Sequence, residues 1–458
     1  MRRREHHHKV TGAKRANNRL NAFIKRTLTL GVELKPGEAL GVLAMFASLF
    51  LVLFTAYLLK PAREMLILTE GTAEIRSYAV ALQALLLLFF IPVYGKFSRR
   101  FDSYRYMQIV TFVCVAMLLG FVVAGRAGLS ISVVYFVWLG AYSVLIIAQF
   151  WAFASELYSR EAGERLFVIV ALGASLGAWL GSAVARQLVE HVSAYGLILC
   201  GAFTLFLSGL PAKRATLSVP TGSRAPQEKA REERASLFAG FQLVLSKRYL
   251  LLLAAFVILL NLVNTTGEYL LAAILENLYT QGATSGLIEV DKATYVGRFY
   301  SEFYFMVNLL GVLIQFFAVS RLLRYGGFNI AFVLTPLVVF LGYASLAVIP
   351  VVAWFRYFKV VDNSLDYSLQ NTARQMLYLP LSRQEKYEGR AVIDTFGQRL
   401  GDLLQAAIIF IGLHWLGFQA VNFIPVAAAL AGLNLIIAYQ LIRERGRLLK
   451  AQSSTTGQ

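Results

Sequence analysis

A chain of 458 residues that is 57% hydrophobic and only 15% charged falls well short of the roughly 25% charged residues of a soluble domain. Apolar runs long enough to cross a bilayer recur along it, which excludes a soluble globular protein and predicts an all-α membrane protein. The formal net charge of +18 calls for no nucleic acid, because basic residues gather in the loops of membrane proteins that stay inside the cell.

Residues 1–38 form a polar, basic tail. Within it, residues 20–26 either lie as a short amphipathic helix on anionic lipid or belong to a solvated, disordered segment. His6, His7 and His8 sit in this tail, and three histidines in a flexible segment specify no metal. No charged-then-apolar leader with a small-residue cleavage site opens the sequence. Cys114 and Cys200 both lie in apolar runs and are expected to act as packing residues.

The first apolar run covers residues 39–68, about 45 Å of helix where about 30 Å would span the hydrocarbon core. It contains Lys60, Pro61, Ala62, Arg63 and Glu64 in succession. Charge in hydrocarbon is kept only where it meets protein, water or a solute, so this segment lies either at the outer mouth of the helix or in a cavity that the helix lines. Further spans are predicted at about 78–94, 107–123, 133–154, 166–185 and 194–210. The basic loop 95–105 is short and so stays inside.

Residues 212–249 are the one long polar interruption, with Pro220 and Pro226 in the middle and an amphipathic helix at 237–245. The second half repeats the pattern with spans at about 250–275, 303–319, 330–346, 348–366, 391–413 and 421–441. Twelve spans place both termini in the cytoplasm. The expected organisation is a tail (1–38), a six-helix bundle (39–211), a linker (212–249), a second six-helix bundle (250–442) and a cytoplasmic tail (443–458).

The halves look related. Ser159-Arg160-Glu161 precedes Gly173-x-x-x-Gly177, and Ser382-Arg383-Gln384-Glu385 precedes Gly397-x-x-x-Gly401, with 224 residues between the two glycine pairs. Glu64 and Glu268 hold similar places in the first span of each half. Parallel repeats of this kind build transporters with a midplane site; the glycine pairs by themselves require only close helix packing.

Lys60 and Arg63 share a helix face and could hold an anion, with Glu64 neutralising Lys60 when the site is empty; the alternative is charges that snorkel to the interface. Asn261, Asn264 and Glu268 form one stripe, either lining a cavity or gluing helices together. Arg356, Lys359, Asp362 and Asp366 recur at spacings of three and four and are expected to pair with each other as a gate or structural network. Asp394, Gln398 and Asp402, with Arg399 beside them, make a further stripe. Phe150-Trp151-Ala152-Phe153 reads as packing. The sequence contains no phosphate-binding glycine loop, no His-Glu-x-x-His and no nucleophile elbow, so neither enzymatic activity nor a cofactor is expected.

Tyr57-Leu58-Leu59-Lys60-Pro61-Ala62-Arg63-Glu64, Phe150-Trp151-Ala152-Phe153-Ala154, and the segment running from Asp366 through Ala373-Arg374-Gln375-Met376 and Leu379-Pro380-Leu381-Ser382 to Gly389-Arg390-Ala391-Val392-Ile393-Asp394 resemble the ATP/ADP translocase family of plastids and intracellular bacteria. The resemblance implies a major-facilitator-like fold of two pseudo-symmetric six-helix bundles in the bacterial cytoplasmic membrane. It implies alternating-access exchange of an anionic, nucleotide-like or phosphorylated solute. Arg63 then stands where the family has a cation important for nucleotide transport, Glu64 where it has an acid, and Arg390 where it has a lysine. Two family glutamates fall on Leu139 and Asn264, with Glu268 one turn on from the latter.

The resulting expectation is a monomer in a lipid bilayer that handles a small anionic solute through Lys60, Arg63, Glu64, Asn264, Glu268, Arg390 and Asp394. Proton-coupled movement of a different solute, with Glu268 or Asp394 carrying the proton, is the second reading. A non-transporting sensor or scaffold that recruits a partner through its linker and tail is the third.

Overall fold

The computed structural model describes residues 34–35, 37–98, 103–220, 223, 237–348, 352–382 and 384–456. The histidine-bearing tail, the surface helix at 20–26, residues 99–102 of the first basic loop and residues 224–236 of the linker lie outside the described residues. Among the described residues the regular elements are all helical. They run α1 (Glu38–Glu70), α2 (Ala73–Ser98), α3 (Ser103–Arg126), α4 (Ser132–Leu157), α5 (Arg160–Leu188), α6 (Ala194–Ser218), α7 (Leu237–Ser246), α8 (Arg248–Thr284) and α9 (Lys292–Leu313). After them come α10 (Ser320–Tyr325), α11 (Gly327–Val348), α12 (Val352–Leu365), α13 (Asn371–Leu377), α14 (Arg390–Val392), α15 (Gln398–His414) and α16 (Phe423–Thr456).

Eleven helical segments among the described residues are long and apolar enough to cross a membrane, and the chain is an all-α protein of many membrane spans. The crossing expected at 348–366 is placed differently. α12 begins at Val352 and continues through a π turn, Asp366–Gln370, into α13, and its charged residues keep it out of the apolar set. α2 likewise begins at Ala73, ahead of the predicted start at 78, and so takes Glu74 and Arg76 into the helix. Hydropathy marks where side chains prefer lipid, whereas a helix continues through charged positions once those charges have partners.

The chain forms two compact units. One comprises residues up to Arg63 with Tyr94–Ile131 and Trp138–Ala230; the other comprises Glu64–Val93, Ser132–Val137 and Arg231–Gln458. In the first unit α5 lies directly on the backbone of α1. A Cβ at Gly173, Gly177 or Gly181 would collide with the carbonyl of Phe46, Phe50 or Phe54 in turn. The rings of those phenylalanines stack along α1, with centroids 6.4 and 5.8 Å apart. Phe150 and Phe153 are buried in this unit's core, so the Phe-Trp-Ala-Phe stretch packs as expected. The buried Glu38 carboxylate at the start of α1 accepts from Arg165 at 2.9 Å, Ser223 at 2.7 Å and the Lys35 backbone at 2.8 Å.

In the second unit Gly401 of α15 approaches the Ile258 carbonyl and the Asn261 side chain of α8. Both glycine pairs flagged in the sequence therefore serve packing, each against a long helix of its own unit. The amphipathic α7 is tied to the segment before α14 by an ion pair, Lys247 Nζ to Glu385 Oε1 at 2.8 Å. Ser382 and Glu385 close a capping box: the Ser382 backbone N–H donates to Glu385 at 2.8 Å and the Glu385 N–H donates to the Ser382 hydroxyl at 3.4 Å. Burial works against the charged form of Glu385, but the hydrogen bonds from Lys247 and Ser382 outweigh it and hold its pKa below the usual range.

Two outcomes follow. Gly177→Leu should lower the melting temperature of the detergent-solubilised protein by the equivalent of about 1–3 kcal/mol, the usual cost of overpacking; Gly120→Ala, where a Cβ meets nothing within 4 Å, should leave it unchanged. Glu385 has a depressed pKa, so its stabilisation is present above the unfolded value and lost as pH falls through the folded one. The melting-temperature gap between wild type and Glu385→Gln should accordingly be full near neutrality and close below about pH 4.3.

Candidate functional site

α1 stays helical through Pro61, although proline supplies no N–H to the carbonyl one turn back. Around it nearly every side chain is buried; between Thr55 and Leu68, Lys60 and Arg63 are the two partly exposed positions. Lys60 Nζ lies 3.9 Å from the centroid of the Tyr57 ring, a cation–π contact within its own turn. Lys60 and Arg63 thus occupy the one accessible strip of an otherwise enclosed segment.

The short Gly71-Thr72 connection folds α2 back after α1 and brings Arg76 to Glu64. Both are buried, at 4% and 0% exposure. Arg76 donates from Nε to Glu64 Oε2 at 2.7 Å and from Nη2 to Oε1 at 3.3 Å, the two-pronged geometry that suits guanidinium and carboxylate. The same Nη2 donates to Glu268 Oε2 of α8 at 3.2 Å. Its guanidinium carbon stands 5.7 Å from the Phe136 ring centroid.

Glu268 carries the network onward. Its Oε1 accepts from Asn363 Nδ2 at 3.0 Å and lies 3.9 Å from Lys359 Nζ. The fully buried Lys359 donates to Asp362 at 2.8 Å and to Asn264 at 3.0 Å. Gly267 makes room for this approach, since a Cβ there would collide with the Tyr343 hydroxyl and the Lys359 ammonium. Two cations, Arg76 and Lys359, face three carboxylates, Glu64, Glu268 and Asp362. With a side chain 16% exposed against 0–7% for the others, Glu268 is the member that reaches accessible space.

Of the sequence-predicted residues, Glu64, Asn264 and Glu268 thus converge in one network. Arg390 and Asp394 do not join it. They pair with each other at 3.1 Å, Gln375 accepts from Arg390 at 2.6 Å, and Tyr378 donates to Asp394 at 3.0 Å. The polar stripe on α8 divides: Asn261 donates to the Gln398 carbonyl and to Asp402, each at 2.7 Å, and serves helix packing. Internal pairing along α12 is realised only in part. Lys359 and Asp362 do pair, whereas Arg356 turns to Glu302 at 2.7 Å, because it lies on the flank of the helix facing α9.

Arg76 and Asn363 were missed by the sequence reading. Arg76 fell outside the expected span, yet it is a lone cation with no acidic residue three or four positions away, which is the available sign of a long-range partner. No group of three or more metal-ligating side chains occurs among the described residues.

The profile of the family described as "TLC ATP/ADP transporter" matches residues 186–438, more than half of the chain. The chain belongs to this family. The matched region of the TLC ATP/ADP transporter family includes Asn264, Glu268, Lys359, Asp362, Arg390 and Asp394, while Glu64 and Arg76 lie upstream of it. The chain is 23% identical over 316 residues to "ADP,ATP carrier protein 1" of Chlamydia trachomatis, covering 59% of this chain and 57% of that one. It is 21% identical over 437 residues to "ADP,ATP carrier protein 5" of Rickettsia felis, covering 78% and 83%. The chain therefore spans little more than half the length of the chlamydial relative. Its fold is similar to that of a point mutant of the nucleoside transporter NupG, with a TM-score of 0.62, 13% identity and coverage of 88% of this chain and 99% of that one. It is also similar to an auto-inhibited POT family peptide transporter, with a TM-score of 0.61, 12% identity and coverage of 88% and 96%.

Removing one partner from a buried ion network leaves the others uncompensated. Arg76→Met should cost about 3–5 kcal/mol of unfolding free energy. The double variant Arg76→Met/Glu64→Leu should recover a part of that, giving a coupling of about 0.5–3 kcal/mol in a double-mutant cycle measured by unfolding in detergent.

Proposed function

We propose that the protein is a secondary-active transporter that moves an anionic, nucleotide-like or phosphorylated solute by alternating access. The observation that carries this reading is the ion chain Glu64–Arg76–Glu268–Lys359–Asp362, buried in helices of membrane-spanning character in a member of the TLC ATP/ADP transporter family. Ionised groups at such depth are costly and are kept for a solute or ion path. The relatives named as ADP,ATP carriers and the fold shared with solute transporters support the same reading. It includes twelve spans in two six-helix bundles, both termini in the cytoplasm of a bacterial cell, and a monomer without cofactor or catalytic role.

In this reading Lys60 and Arg63 attract the anion, Arg63 by its fork and Lys60 as a point charge, with Arg390 as a further cation. Glu64, Asn264 and Glu268 set the resting position of the buried cations, and Asp394 holds Arg390. An anionic solute would compete with carboxylates for these cations, so its arrival and departure change which pairs are made. The replacement of a family glutamate by Asn264, bonded to Lys359, removes one buried charge, while Glu268 one turn on supplies the acid that Arg76 needs.

Proton-coupled transport of another solute is the second reading, favoured by one feature: Glu268 joins both buried cations and is the most accessible member of the chain. Protonating it would loosen Arg76 and Lys359 together.

Purified protein in proteoliposomes preloaded with ADP should take up labelled ATP, and nucleotides should raise its melting temperature by mass action. Arg63→Ala should abolish that thermal shift and reduce uptake by at least about tenfold, the loss of a single charge-assisted pair of about 1.5–3 kcal/mol. A panel in which nucleotides, sugar phosphates and organic acids all fail while a neutral or cationic solute is carried would overturn the anionic assignment. Uptake of that solute that is driven by a pH gradient and abolished by Glu268→Gln would establish the second reading.

A further inference from the structure

Beside the ion chain, within the second unit, α8, α11, α12 and α16 enclose a small cavity of about 10 Å³, room for a single water-sized occupant. Its polar lining comes from Asn264, Thr335, Asp362, Asp366 and Asn434; the remaining wall is aliphatic. The lining thus offers two carboxylates, a hydroxyl and two amides, with no sulfur or imidazole.

Two of these groups are buried and lack a partner. Thr335, at 0% exposure, has no hydrogen-bond partner for its hydroxyl, and Asn434, at 3% exposure, has none for its amide oxygen. Buried polar atoms are nearly always satisfied, and leaving one unsatisfied costs about 1–3 kcal/mol. Two such atoms around one small cavity beside two carboxylates point to an occupant that accepts lone pairs from oxygen.

Charge narrows the choice. Asp362 is already committed to Lys359 through Oδ2 at 2.8 Å. Asp366 opens the π turn after α12, and the cations acting on it are Lys359 and the partly exposed Arg374. The ion chain itself carries one more carboxylate than cations. One further positive charge balances this neighbourhood; two would overshoot it. Hard oxygen donors select a hard cation, and the cavity is small.

We propose that Asp362, Asp366, Thr335 and Asn434 form a site for a monovalent metal cation of the size of Na⁺. Asn264 bridges this site to the ion chain, since its amide oxygen accepts from Lys359 while the residue lines the cavity. A cation in the cavity competes with Lys359 for Asp362 and Asn264, and so couples its own binding to the position of Lys359 beside Glu268. The site stands on its own geometry and does not depend on the solute's being a nucleotide.

The test uses the full chain in detergent, with NaCl exchanged for KCl or choline chloride at constant ionic strength and with no organic solute present. Na⁺ should raise the melting temperature in a saturable manner, more than K⁺ and much more than choline, and radioactive sodium should bind with a stoichiometry near one. Asp366→Asn should weaken sodium binding by at least about tenfold, because affinity in oxygen sites follows the charge of the ligands. Thr335→Val, which keeps the side-chain shape and is the variant to rely on if Asp366→Asn does not fold, should weaken it several-fold. Sodium binding unchanged in a folded Thr335→Val protein would overturn the proposal. So would equal melting temperatures in all three salts, or a melting temperature that responds to pH and to no metal cation, which would make a proton on Asp366 the occupant. None of these readouts involves nucleotide exchange, so failure of the transport assignment and failure of the cation site are separately visible.

Discussion

The structure of the second unit turns on Arg76. Its guanidinium sits at 4% exposure among helices whose other faces are apolar, and each ion so placed carries several kcal/mol of desolvation cost. That cost is offset because Glu64 takes two of its N–H groups and Glu268 a further contact. Glu268 then needs Asn363 and Lys359, and Lys359 needs Asp362 and Asn264. Each group is tolerable only because of the next, so α1, α2, α8 and α12 are held in register by a chain of obligations that apolar packing alone would not impose.

Such a chain suits a molecule that must change its pairing. Apolar side chains tolerate many small displacements, whereas a buried ion either has its partner or does not. A network of this kind therefore prefers discrete arrangements over a continuum. The three carboxylates and two cations leave the balance sensitive to whatever charge arrives, whether an anionic solute at the cations or a small cation beside Asp362 and Asp366. Close helix contacts supply the rigid background: glycines of α5 lie against the carbonyls of α1 and Gly401 of α15 against α8, while backbone-to-backbone approach leaves little room to slide.

Much of this was legible from residue order. The lone polar positions inside apolar runs, Glu64, Asn264 and Glu268, were visible because hydrocarbon leaves few reasons for a charge or amide to persist there, and they do converge. The glycine spacing gave the helix contacts. Arg76 was not legible, because hydropathy placed it before the span and its partners are 12 and 192 positions away. Arg356 shows the same blindness in reverse. Spacing along its own helix suggested an internal partner, whereas Glu302 of a different helix claimed it. The cavity bounded by Thr335 and Asn434 had no sequence signal at all, since a threonine and an asparagine in membrane helices commonly bond to their own backbone or a neighbour.

What the amino-acid sequence determined by itself is local and additive: which stretches prefer lipid to water, which turns can cap a helix, and which faces are small enough for close packing. Free energy of transfer and helix periodicity act residue by residue, so they survive being read in one dimension. Only the tertiary structure decided which buried charge faces which, that Arg76 of the following helix grips the Glu64 carboxylate with two N–H groups, and that unsatisfied oxygens from separate helices surround one small space. Ion pairing falls away within a few ångströms and depends on direction, and distances of that kind are set by the packing of helices far apart in the chain.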